Sequence, residues 1–303
     1  MPHPMGELAL LVPRGRDAAI PERLADLEAA LTQRDVRHHR VQLGDDPVAA
    51  VHDELAAGTR LLVVCGSERA VCAVVPALFD GDAVSPADVV LGLFPGGAPN
   101  DFAKTFGLTL HPEAAAVLLS GPRVMRIDVG VVTCRGPDGA EVRRLVLNEA
   151  VVGLGAEVVR RTQRLRGLGR VGALLAWWMS LARYRARHHD VDMTFAEWHA
   201  PLTQVRLSNG QYAVDGLHVA PLALPDDGAW DVQVWDGPKH LPFTLQPQMI
   251  RAEHLPHPHI SQWRQRRVAV TSARPSRVAV DEQVVGTTPA TFTILEQALR
   301  LKI

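Results

Sequence analysis

Between residues 8 and 97 the chain alternates short apolar runs with helical periods, and no other feature limits its fold as tightly. "LALLV" precedes a segment, Glu22 to Gln33, that sets Leu24, Leu27 and Leu31 on one helical face. "HHRVQL" then precedes a helix from about Pro47, with Asp46 as the expected N-cap and Pro47 at the permitted first position. "RLLVVC", a further helix and "VVLGLFPGG" continue the pattern. Repeated strand-helix-strand units predict a parallel sheet covered by helices. Ligands of such sheets sit beyond the carboxyl ends of the strands, so Cys65–Arg69 and Phe94–Asp101 fall at the edge where two loops could meet over one ligand.

From about Arg123 the pattern changes to closely spaced strands such as "VMRIDVGVV", "VRRLVLNEAVVGLG", "DVDMTFAEW", "TQVRLSNG", "AWDVQVWD", "RRVAVTS" and "SRVAVDEQVVG", separated by Gly, Pro and Asp turns. This predicts an antiparallel sandwich or barrel. One helical stretch, roughly Glu157 to Arg187, interrupts it, with Gly167 and Gly169 weakening its first half. With 303 residues and 47% hydrophobic composition, the chain can furnish a core for each of two domains.

Lys+Arg 32 against Asp+Glu 33 leaves a formal net charge of -1, which argues against nucleic acid as a partner. Cys65, Cys72 and Cys134 are odd in number and lack metal-ligand spacing, so reduced thiols and a cytoplasmic location are expected. The start "MPHPMGELALLVPRGRD" has no basic region ahead of its apolar run, and Val171 to Ala182 is too short to span a bilayer. Secretion and transmembrane insertion are therefore not expected. Peripheral contact at the inner membrane surface and a homodimer stay open.

At "LGLFPGGAPNDFAKTFGL" the chain resembles the diacylglycerol kinase catalytic family, the bacterial lipid kinases and sphingosine kinases with an NAD-kinase-like two-domain architecture. Pro95, Gly97, Asn100, Asp101, Phe102, Ala103, Gly107 and Leu108 match the family's pattern. "NEAVVGLGAEVV", "SNGQYAVDGLHVAPLALPDDGAWDVQVW" and "VAVDEQVVGTTPATFTIL" resemble its later blocks in the same order. The resemblance implies an ATP- and Mg2+-dependent kinase that phosphorylates a lipid hydroxyl, with nucleotide in a cleft between the domains. The implied organisation is an α/β nucleotide-binding domain with a parallel sheet over residues 1–122 plus 287–303, and a β-rich antiparallel sandwich over 123–286 for the lipid. In that architecture the last strand returns to the first domain.

Carried over residue by residue, the family's first phosphate loop, Gly-Gly-Asp-Gly-Thr, falls on Cys65, Gly66, Ser67, Glu68 and Arg69, where only Gly66 is retained. Glu68 adds a like charge where phosphates would lie, and Arg69 adds a bidentate donor. A solvated helix start is the plain alternative. The second loop keeps Gly96, Gly97, Asn100 and Asp101, with Ala98 where the family has threonine. Asn100 can equally serve as a helix cap.

In "LALPDDGAWD" the family orders magnesium, which maps to the Asp227 side chain and the carbonyls of Leu224 and Ala229, against the alternative of an ordinary Asp-Gly turn. The family's Asp-Gly-Glu turn, which supplies the base for the lipid hydroxyl, reads Asp281, Glu282 and Gln283 here. Gln283 stands at the base position, and an amide takes no proton near neutral pH. "LLVPRGR" keeps Pro13 and Gly15 of the family's N-terminal motif, with Arg14 and Arg16 adding positive charge to what is otherwise an ordinary surface loop. "RVGALLAWWMSLARYRARHH" is apolar around much of a helix and basic at both ends. Core packing between the domains is the expectation for such a helix, with a lipid portal or membrane contact as the sharper alternative. Two functions follow: a divergent ATP-dependent lipid kinase, or a catalytically inactive kinase-derived protein that binds an anionic metabolite, a lipid or a protein partner.

Overall fold

A computed structural model describes residues 6–81, 83–84, 88–108, 111–194 and 196–303. Phe195, inside the predicted "DVDMTFAEW" strand, and the first five residues of the amino-terminal stretch lie outside the described residues. The chain divides into two compact units, residues 1–128 with 297–303, and residues 129–296.

The first unit is built on β1 (Leu8–Val12), α1 (Pro21–Thr32), β2 (His38–Gln42), α2 (Pro47–Ala56), β3 (Leu61–Val64), α3 (Glu68–Val74), β4 (Val90–Leu93), α4 (Asp101–Thr105) and α5 (Pro112–Ser120). Its strands pair in parallel in the order β2, β1, β3, β4, with registers Leu8↔His38, Leu8↔Leu61 and Leu61↔Val90. The expected periodicities account for the helices. Leu24, Leu27 and Leu31 of α1 are buried, and Asp46 caps α2 by accepting the Ala49 N–H at 3.0 Å. The core joins Leu8, Leu10, Leu61, Val63 and Val90 to Leu27, Leu31, Ala116 and Leu119, so the central strands must be apolar throughout rather than alternating.

The second unit contains β5 (Val124–Arg135), which begins in the first unit, β6 (Glu141–Val146), β7 (Glu149–Gly153), α6 (Leu154–Arg164), α7 (Gly169–Arg183), β8 (Arg187–Met193), β9 (Ala196–Leu202), β10 (Gln204–Ser208), β11 (Trp230–Trp235), β12 (Ile260–Gln265), β13 (Arg267–Ser272), β14 (Arg277–Val280) and β15 (Gln283–Lys302). Its strands pair antiparallel among the described residues. One run is β12, β11, β10, β7, β14, β15, and a second passes from β9 through β8 and β13 to β15. The two faces enclose Val132, Trp230, Val232, Val268, Val270 and Phe292. β15 then leaves this unit, and Leu301 pairs in parallel with Leu91 of β4. The last strand thus returns to the first unit's sheet, as the resemblance implies.

Two elements differ from expectation. The helix expected over Glu157 to Arg187 is two helices, α6 and α7, separated by a 3-10 turn at Arg166–Leu168 and by Gly169 at φ +55°. The glycines end a helix here rather than weaken one. The single strand expected from "VRRLVLNEAVVGLG" is interrupted between β6 and β7, because the Leu147, Asn148 and Glu149 amides turn inward onto the Asp281 carboxylate.

Candidate active site

The loop after β3 is stitched to the segment that follows β1. Ala19 N–H donates to Cys65 O at 3.0 Å, and Ser67 N–H donates to Asp17 O at 2.8 Å. The Ser67 hydroxyl also donates to Asp17 Oδ1 at 2.8 Å while accepting the Ala70 N–H at 3.4 Å. Gly66 is demanded by this approach, since a Cβ there would lie 2.1 Å from the Asp17 carbonyl oxygen. No periodicity points to Asp17, whose role depends on a loop lying across another loop.

Glu68 does not extend toward solvent. It is buried, and its Oε2 accepts the Phe102 N–H of α4 at 2.8 Å, while its own N–H donates to Pro99 O at 3.0 Å. The like charge expected among phosphates is instead a clasp between two loops. Arg69 is half-buried in the first turn of α3.

In the second loop Gly96 and Gly97 take φ of +56° and +96°, conformations open to glycine at little cost. A Cβ on Gly96 would meet Ala19 Cβ at 2.4 Å, and Ile20 N–H donates to Gly96 O at 2.9 Å. Ala98 closes a turn by donating its N–H to Pro95 O at 2.9 Å. Asn100 caps α4 by accepting the Ala103 N–H at 2.8 Å, and its Nδ2 donates to Gly66 O at 3.2 Å. Buried Asp101 holds Lys104 Nζ at 2.8 Å. Asn100 therefore fills the capping role, and the same side chain ties the first glycine loop to the second.

In the second unit, Asp227 Oδ1 accepts the Ala229 N–H at 3.0 Å, and its Oδ2 forms an ion pair with Arg264. Gly228 at φ +72° makes the turn, and Leu224 is exposed. Among the described residues no group of three or more His, Cys, Asp or Glu side chains could hold a metal. A hard cation would have to use one carboxylate and the Leu224 and Ala229 carbonyls. The oxygen donors are of the right kind, but a guanidinium already holds the carboxylate.

Asp231, four residues further on, has only 4% of its surface exposed. Burial pushes its carboxyl up to about 6, against the Gln233 hydrogen bond and the Arg264 charge, with the Asp227 charge adding to the rise. Between about pH 4 and 6 this group is ionised in the unfolded chain and protonated in the folded one, so stability falls as pH rises through that window. Asp231→Asn is expected to raise the unfolding free energy at pH 7 by up to about 3 kcal/mol and to leave it unchanged near pH 4, as read from denaturant melts at both pH values.

The hairpin between β14 and β15 places Asp281 and Glu282 at φ of +43° and +63°, as a two-residue turn between twisted strands requires. Asp281 is buried, and its carboxylate accepts three amides: Leu147 at 2.8 Å, and Asn148 and Glu149 at 3.0 Å each. Glu282 and Gln283 are exposed, and Gln163 Nε2 donates to Glu282 O at 2.9 Å. Glu282→Gly relieves a left-handed strain and is expected to stabilise the protein by about 1 kcal/mol, seen as a higher denaturant midpoint at unchanged slope.

A parallel α/β sheet with paired glycine loops at its carboxyl edge, followed by an antiparallel sandwich whose last strand returns to that sheet, defines a two-domain architecture of the NAD-kinase type. The sequence model of the diacylglycerol kinase catalytic domain matches residues 8–132, and that of the YegS C-terminal NAD kinase beta sandwich-like domain matches residues 148–303. A Pseudomonas fluorescens relative named "Probable lipid kinase YegS-like" is 31% identical over 241 residues, 78% of this chain and 76% of its own. A Chromohalobacter salexigens protein of the same name is 32% identical over 236 residues, 74% of this chain and 70% of its own. A solved Bacillus anthracis diacylglycerol kinase superposes with a TM-score of 0.68 at 16% identity over 97% of this chain and 96% of that one. Another structure from the same organism reaches 0.75 at 18% identity over 97% of both chains. At such identities the solved structures speak for the fold alone. The chain belongs to the diacylglycerol kinase catalytic family of lipid kinases.

Proposed function

We propose that this protein is an ATP-dependent lipid kinase that moves the γ-phosphoryl group of ATP to a lipid hydroxyl. The observation that carries the reading is the Asn100 bridge, which holds Gly66 and the Gly96–Gly97 turn as one braced edge beside the N-termini of α3 and α4. In this reading Gly66, Ser67, Arg69, Gly96, Gly97, Ala98, Asn100 and Asp101 shape the nucleotide site. Asp227, with the carbonyls of Leu224 and Ala229, would hold Mg2+ once its carboxylate exchanges Arg264 for the ion, and the ion would supply neutralising charge.

The reaction needs a lipid oxygen to bond to the γ-phosphorus as the bond to the β–γ bridging oxygen breaks, with the hydroxyl proton passing to a carboxylate or to water. At the hairpin, Gln283 is an amide and the Asp281 oxygens are engaged by three backbone amides, so Glu282 is the exposed carboxylate of that turn and the proposed proton acceptor.

A second reading is favoured by one observation. The Ser67 and Glu68 amides already donate to Asp17 and Pro99, so two of the donors a phosphate would use at the start of α3 are engaged. On that basis the braced loops would serve a catalytically inactive protein that holds another anion, a lipid or a protein. Titration calorimetry of the full chain with ATP and Mg2+ separates the two. A micromolar to millimolar dissociation constant, followed by lipid-dependent release of ADP, is the expected result, whereas absence of heat at saturating ATP overturns the kinase reading.

A further inference from the structure

From Val171 to Ala182 the outward face of α7 is apolar, and it ends at the exposed Arg183. Val171, Leu174, Leu175, Trp178 and Met179 are exposed there, at the three- and four-residue spacing of one helical face, and Leu168 of the preceding turn continues the stripe. Ala176, Ser180 and Leu181 form the opposite, buried face, and Trp177 and Tyr184 pack with Leu154 and Val158 of α6. Trp178 is 52% exposed, with its ring centroid 5.3 Å from that of Phe243. The burial expected for this helix therefore holds for one side only. A contiguous apolar face of this kind on a folded protein marks an interaction surface.

Charge identifies the partner. Between Val158 and His189 there is no Asp or Glu, but there are eight arginines, at 160, 161, 164, 166, 170, 183, 185 and 187, in a chain whose net charge is -1. Around α6 one carboxylate serves two of them and a third arginine from β14: Glu157 lies 3.1 Å from Arg160, 3.8 Å from Arg161 and 2.8 Å from Arg277. Arg161 is held below its ordinary range by burial and by the like charges of Arg160, Arg183 and Arg277, so these guanidiniums form a cluster in excess of its counter-charge. Arg164, Arg166, Arg183 and Arg185 are exposed at the ends of the two helices.

We propose that α7 lies flat on an anionic lipid bilayer, its Val171–Met179 face in the acyl boundary and the flanking arginines on the headgroup phosphates. At 15 residues the helix is about 22 Å long, shorter than the ~30 Å hydrocarbon core, and no helix among the described residues is long and apolar enough to cross a membrane. An interfacial helix needs an apolar face and cationic flanks, and both are present. A neutral protein groove would satisfy the apolar face and leave the arginine excess unmatched. The proposal goes beyond the kinase reading, because a bilayer is held whether or not phosphoryl transfer takes place.

Flotation of the full chain with vesicles containing neither diacylglycerol nor ATP tests docking separately from catalysis. Vesicles of equal parts phosphatidylcholine and phosphatidylglycerol are expected to bind at least about tenfold more protein than phosphatidylcholine alone, and high salt is expected to weaken binding. Leu175→Glu with Trp178→Glu is expected to reduce binding by about tenfold or more, with the circular dichroism spectrum unchanged. Arg164→Ala with Arg166→Ala, at exposed positions that leave the core untouched, is expected to cost about fivefold per charge. Equal binding to neutral and anionic vesicles, or wild-type binding in both double variants, overturns the proposal. So does a wild-type dimer that Leu175→Glu converts to monomer, since a second copy then covers the face.

Discussion

Replacing Asp281 with alanine is expected to lower the stability of the second unit by about 3–5 kcal/mol, the largest effect of any single change at the candidate site. The carboxylate accepts the Leu147, Asn148 and Glu149 amides at 2.8, 3.0 and 3.0 Å and is buried. Truncation leaves these N–H groups without their acceptor at the break between β6 and β7, and each buried donor left unmade costs about 1–3 kcal/mol. Water entering the space recovers part of that cost. Thermal and denaturant melts measure the loss. A change below about 1 kcal/mol would show that the carboxylate is dispensable to the fold and free for chemistry. Asp281→Asn keeps one carbonyl oxygen and is expected to lose roughly half as much.

Gly66→Ala is expected to cost about 3 kcal/mol and to remove nucleotide binding with it. A Cβ at this position would lie 2.1 Å from the Asp17 carbonyl oxygen and 2.8 Å from Pro13 Cγ. The first of these is backbone and cannot swing aside, so the loops must separate. Separation breaks the Ser67-to-Asp17 and Ala19-to-Cys65 hydrogen bonds, each worth about 1 kcal/mol, and adds overpacking. A denaturant melt reports the stability and calorimetry with ATP and Mg2+ reports the site. If the variant melts like the wild type, the Asp17 segment is not braced against the loop. If it is destabilised but binds ATP normally, the brace is separate from the nucleotide site. Ser67→Ala provides the milder comparison, since it removes the Asp17 side-chain contact and the α3 cap without any steric overlap.

The membrane-facing proposal and the site share one physical theme, which is where this chain keeps polarity. In the two loops after β3 and β4, buried Glu68, Asn100 and Asp101 are spent on amides, a carbonyl and a lysine inside the fold. On α7 the reverse holds, with apolar side chains left in solvent beside a cluster of guanidiniums. The first arrangement holds the loop geometry from within, and the second leaves the face that we propose meets a bilayer.

Much of the architecture was legible in the residues. Leu24, Leu27 and Leu31 recur at the helical period because one side of α1 faces the sheet, and Asp46 followed by Pro47 announces the start of α2. Continuous apolar runs at β3 and β4 reflect strands covered on both faces, and the glycines of the second loop foretell the left-handed turn found there. The Asn100 cap was readable for the same reason, since it joins residues three apart. All of these are local relations, and local relations leave a period or a residue type in the sequence.

Tertiary structure alone decided which polar groups remain for a ligand. From the sequence Glu68 can face either phosphate or solvent, whereas its carboxylate reaches Phe102, 34 residues away. Ser67 is matched to Asp17 across 50 residues, and Asp281 to Leu147 across 134. The apolar circumference of α7 gave no sign of which side would be covered, because Leu181 and Leu175 are alike in composition and differ only in what packs against them. Periodicity records the face a segment buries, whereas a hydrogen bond between distant loops depends on how whole elements are set side by side, and no spacing within either loop carries that information.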